Sequence, residues 1–154
     1  MTAVARLVLT TSAALALAVP AGALGAETPT NFRWSTPVTV VALQGTPNTG
    51  FFIIDPFEAS VPHVGRATIQ MFFVTCLPCD TASLTLRITA PGGTLVLNGG
   101  SSSDNETSNS GTWSLTEGTG RFAQYTGSGT WTWNWDPSAG RTGTLGLTGH
   151  LGKT

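Results

Sequence analysis

From residue 36 onward, apolar and polar side chains alternate in short runs, each bounded by Gly, Pro, Asn or Ser. A period of two puts successive side chains on opposite faces of an extended chain, so the pattern predicts strands and no long helix. The runs read as strands at Thr36–Ala42, Gly50–Phe57, Gly65–Cys76, Thr81–Ala90, Thr94–Gly99, Gly111–Thr116, Gly127–Asp136 and Thr142–Leu151. Leu84, Leu86 and Ile88 share one face while Ser83, Thr85, Arg87 and Thr89 share the other. Leu145, Leu147 and Leu151 likewise oppose Thr144, Thr148 and His150. One apolar face per strand fits an antiparallel sheet wet on one side. The expected fold is therefore all-β, an eight-stranded antiparallel β-barrel. Closure removes the strand edges that would pair with other chains, and it leaves an interior wide enough for side chains or one small ligand.

The connections carry turn chemistry. Gly45-Thr46-Pro47-Asn48-Thr49-Gly50 and Pro91-Gly92-Gly93 supply the fixed or positive φ values that reverse a chain cheaply. Residues 100–110 (GSSSDNETSNS) are polar and low in complexity, and are expected to form a mobile loop. Asp104 and Glu106 within it lack the ligand spacing of a calcium loop, and Asn105-Glu106-Thr107 is formally a glycosylation sequon.

The N-terminus breaks the pattern. Met1–Arg6 carries a single positive charge, Leu7–Val19 is apolar, and residues 20–26 (PAGALGA) are small-residue rich before Glu27. This is the three-part arrangement of a secretory signal peptide, with cleavage expected after Ala26, or else after Ala23 or Gly25, and residues 27–154 forming one mature domain. A bacterial exporter is the natural source. No other tract is apolar enough to span a membrane. Charge adds an exclusion: Lys+Arg 7 against Asp+Glu 8 leaves a net charge of −1, and the basic residues are scattered, so nothing here grips a nucleic-acid backbone. No cofactor is implied, and homo-oligomerisation is left open.

Cys76 and Cys79 are spaced C-x-x-C. In an exported chain they read as a disulfide pinning a turn. Thioredoxin-like redox chemistry needs a helix after the first cysteine, and the run after Cys79 alternates as a strand. His63 and His150 have no motif spacing to the cysteines, so no metal site is expected.

Two groups of residues are candidates for chemistry. Trp131, Trp133 and Trp135 lie on one face of a strand, in a row about 13 Å long at roughly 3.3 Å per residue. Together with Trp113 they form either a ligand-binding platform for a glycan or amphiphile, or the filling of the barrel, with Thr130, Thr132 and Asn134 facing solvent. Asp55, Glu58, His63 and Arg66 form the densest ionisable stretch, the weak candidates for general acid-base work or else surface ion pairs. No hydrolase triad is supported: Gly127-Ser128-Gly129 lacks the spacing and elbow of a nucleophile motif.

The segment Gly111-Thr112-Trp113-Ser114-Leu115, then Gly118-Thr119-Gly120-Arg121-Phe122, then Thr126-Gly127-Ser128-Gly129-Thr130, resembles the C-terminal half of allene-oxide-cyclase-like and dirigent-like β-barrels, a group with many small secreted bacterial members of unassigned activity. Gly118 and Gly120 are expected to make a positive-φ corner, and Phe122 to plug the barrel end. The plant enzymes act through polar residues in the barrel cavity, and none of those aligns onto a position here. The chain is thus expected to be a binding module for a small apolar or amphipathic ligand or a glycan. The alternatives are a cyclase-like or dirigent-like catalyst acting in the lumen, or an interaction protein with a packed interior.

Overall fold

The computed structural model describes residues 30–46, 49–101, 107–136, 138 and 140–154. The expected signal peptide, Asp104, Asn105 and Glu106 lie outside them. The described chain forms ten strands: β1 (Thr30–Thr39), β2 (Ala42–Thr46), β3 (Thr49–Ile53), β4 (Phe57–Val61), β5 (Gly65–Cys76), β6 (Thr81–Ala90), β7 (Gly93–Ser101), β8 (Ser108–Gly118), β9 (Tyr125–Trp135) and β10 (Thr142–Lys153). Short 3-10 turns at Leu77–Cys79 and Gly120–Phe122 complete the elements.

All pairings are antiparallel, and the sheet order is β1-β10-β9-β8-β7-β6-β5-β3-β2, with β4 also on β5. The two ends of that order, β1 and β2, are consecutive stretches of one segment. At their junction the Val40 N–H donates to Arg141 O at 2.6 Å and the Val41 N–H donates to Ile53 O at 2.8 Å. The sheet therefore curls round and its ends meet through residues 30–46. β3 and β4 lie along successive parts of β5, β3 pairing Phe73–Cys76 and β4 pairing Gly65–Ile69. Counted around the wall, β1–β2 and β3–β4 each hold one position, so ten strands fill the eight positions of the expected barrel.

The differences from the expected boundaries have local causes. The run expected at Gly50–Phe57 divides, because Pro56 has no N–H to give a ladder and Ile54–Pro56 leave the strand. The run expected from Thr36 starts at Thr30, where β1 pairs β10 from Leu151 onward. The loop expected at residues 100–110 is narrower at both ends: β7 continues to Ser101 and β8 starts at Ser108 opposite Asn134 of β9, while residues 102–106 lie outside the described residues. Pairing with a long neighbouring strand satisfies that backbone whatever its side chains prefer.

The alternation holds. Leu84, Leu86, Ile88, Leu145, Leu147 and Leu151 are buried, while Ser83, Arg87, Thr89, Thr144, Thr148 and His150 are exposed. On the outside, the Thr85 hydroxyl donates to Asn98 Oδ1 at 2.9 Å and Asn98 Nδ2 donates to the Thr116 hydroxyl at 3.0 Å, so neighbouring strands are also tied through their polar face. Inside, Trp131, Trp133, Phe32, Phe73 and Phe122 are among the largest fully buried side chains.

At one end of the wall Gly120 takes φ +57°, which favours glycine. Gly118 is not left-handed, and its requirement is one of space: a Cβ there would sit 2.2 Å from Phe122 O. Phe122 is fully buried and meets Tyr125 edge-on at 5.1 Å.

Candidate functional site

Strand alternation sets what the break between β3 and β4 exposes. Phe51 and Phe52 are consecutive on β3, and Phe72 and Phe73 on β5, so one of each pair must leave the core. Phe52 pairs with Phe73 and both are buried; Phe51 and Phe72 face out, 48% and 61% exposed. Beyond the Phe52–Phe73 pair the β3 ladder stops, and the β4 ladder resumes only at Phe57–Ile69. Between the two ladders lies a groove of about 210 Å³ lined by residues 51–54 and 71–74. None of those eight residues is ionisable, and the surface they offer is mainly apolar. The volume is below the roughly 300–1,000 Å³ of drug-sized pockets, which suits one ring or a short alkyl chain.

Behind the groove stands an aromatic layer. Phe52 meets Trp133 at 5.8 Å and Trp135 at 5.2 Å, and Phe73 meets Trp131 at 5.7 Å and Trp133 at 5.6 Å. All but the Phe73–Trp133 pair are edge-to-face, the arrangement that the ring quadrupole favours. The tryptophan row thus faces inward. Trp131 and Trp133 are fully buried and Trp135 is half-buried, with Thr130, Thr132 and Asn134 on the outside. The row therefore presents no flat outer platform. Trp113, also buried, donates its indole N–H to Thr130 O and Thr148 O, each at 3.1 Å. The indole nitrogens of Trp131, Trp133 and Trp135 are buried with no hydrogen-bond partner. Each such donor costs about 1–3 kcal/mol when left unmatched.

The ionisable stretch does not assemble into one constellation. Asp55, Glu58, His63 and Arg66 are all exposed. Glu58 pairs with Arg66 at 3.5 Å and accepts from the Thr68 hydroxyl, a surface arrangement of small energetic weight. His63, at φ +64°, sits in the β4–β5 turn with its Nε2 3.3 Å from Asn31 O of β1. Cys76 and Cys79 form a disulfide across the 3-10 turn between β5 and β6, and strand β6 rather than a helix follows. Among the described residues no group of three or more His, Cys, Asp or Glu side chains is placed to hold a metal ion. No helix among them is long and apolar enough to cross a membrane.

No protein-family model, curated protein or solved structure matches the chain. The groove residues Phe51 and Phe72 were not among the sequence candidates. The doubled phenylalanines at 51–52 and 72–73 were the available signal, since a strand buries only one of two neighbours. Which pair would flank a gap depended on where the β3 ladder stops.

Proposed function

We propose that the mature chain is an exported, non-catalytic binding module of the barrel kind, and that it takes a small apolar or amphipathic group in the groove between β3 and β5. One observation carries the reading: two phenylalanines, Phe51 and Phe72, stand exposed at the edge of an apolar groove where the wall is interrupted. Leaving these two rings about half in water forfeits roughly half of the 1.5–3 kcal/mol that full burial of each would contribute, a cost a binding surface recovers when occupied. The disulfide suits an oxidising compartment, which supports export. The resemblance of residues 111–130 to allene-oxide-cyclase-like and dirigent-like barrels belongs to this reading as a likeness of architecture and not of activity. The catalyst of the same architecture is less well supported, because its polar supply, Asp55 to Arg66, lies on the outer surface.

The test is saturable binding of the fluorophore 1-anilinonaphthalene-8-sulfonate to residues 27–154, compared with the Phe51→Ser/Phe72→Ser variant. Both positions are exposed, so the variant keeps the wild-type unfolding midpoint and loses the saturable signal. Equal binding by the two proteins would place the site elsewhere.

A further inference from the structure

Two of the indoles with unmatched donors touch a ring that lines the groove. Phe52 lines the groove on one side and packs edge-on against Trp133 and Trp135 on the other. It belongs to the last β3–β5 pair before the break. Trp131 is differently placed: its Nε1 would lie 2.8 Å from a Cβ on either Gly99 or Gly111, so that edge is pressed against β7 and β8, away from the groove. Trp133 and Trp135 both touch Phe52, and their indole donors are buried and without partners.

We infer that the groove selects a ligand with an apolar body and a hydrogen-bond acceptor at one end, such as a carbonyl, which Phe52 turns aside to admit to the indole N–H of Trp133 or Trp135. The inference rests on the groove reading above and specifies its ligand chemistry. An acceptor group is hydrated in water, so carrying it into an apolar groove weakens binding unless a donor meets it. The two free indoles are such donors, and meeting one removes an unmatched group from the protein as well. A purely apolar ligand would fill the groove and leave both indoles as they are.

The experiment titrates residues 27–154, labelled with ¹⁵N, with acetophenone and separately with ethylbenzene, a pair of similar size that differ by the carbonyl. Five tryptophans give few indole N–H signals, each assignable by a single Trp→Phe substitution. The expected result is that both compounds shift the backbone amides of residues 51–54 and 71–74. Acetophenone alone moves the Trp133 or Trp135 indole N–H downfield, leaves that of Trp113 in place, and binds at least as tightly as ethylbenzene. Trp133→Phe or Trp135→Phe then weakens acetophenone severalfold and leaves ethylbenzene unchanged. If both compounds occupy the groove, the indoles stay still and acetophenone is about tenfold weaker or more, the acceptor preference is overturned and the groove stands. If neither compound shifts residues 51–54 and 71–74, the groove reading itself falls.

Discussion

At the residue scale, the interior depends on small residues as much as on large ones. The Trp131 indole fits only because Gly99 and Gly111 lack side chains: a Cβ on Gly99 would stand 2.8 Å from Trp131 Nε1 and 3.1 Å from Thr112 O. Gly100, one residue on and facing the other way, has nothing within 4 Å of the same position. Gly99→Ala is therefore expected to destabilise the protein by about 1–3 kcal/mol through overpacking, and Gly100→Ala to change stability by less than about 0.5 kcal/mol. Urea unfolding followed by tryptophan emission checks both, and equal midpoints would show that the indole has room to move. The sequence showed that Trp131, Trp133 and Trp135 share a face, since alternation requires it. Whether that face was inner or outer was settled by neighbours: Trp131 pairs with Leu147 and Gly111, and Trp133 with Leu145.

At the scale of elements, strand interiors were legible, and strand ends only where turn residues bound them on both sides. β6 runs from Thr81 to Ala90 and β5 from Gly65 to Cys76, as the alternation and bounding turns predict. At the flanks of residues 100–110 composition misled, because it speaks for the isolated segment, whereas Ser108 to Ser114 take their backbone partners from β9. The break between β3 and β4 has a readable cause in Pro56, but the groove it opens needs β5 to pass behind it. The β5–β6 connection carries its own constraint in the Cys76–Cys79 disulfide, which closes a loop of four residues. Loop-closure entropy assigns such a short loop about 2 kcal/mol. A Cys76→Ser/Cys79→Ser variant is expected to lose about that much in chemical denaturation and to keep its β-sheet circular dichroism. Loss of the fold instead would mean that the disulfide organises more than its own turn.

For the whole molecule, the decisive pairing is between the first and last described strands. β1 lies along β10, with Thr30 opposite Leu151, and β2 then carries the same segment across to β3. At the far end of the barrel three turns are held together by Arg121. Its backbone N–H donates to Gly92 O at 2.8 Å and its Nη2 to Val64 O at 2.6 Å, while the guanidinium lies 4.6 Å from the Phe122 ring centre. Arg121→Ala keeps the backbone bond and removes the other two, so a loss of about 1–2 kcal/mol is expected. An unchanged unfolding midpoint would show that the side chain ties nothing. By itself the sequence determined the fold class, the period-two faces and the turn positions, because those follow from backbone sterics and from which side of a strand each residue occupies. The tertiary structure alone decided where the sheet meets itself, which aromatic face fills the barrel, which indole donors are left without acceptors, and where Phe51 and Phe72 frame a groove. Those outcomes depend on register between strands far apart in the chain, and no local pattern encodes which distant residue will stand opposite.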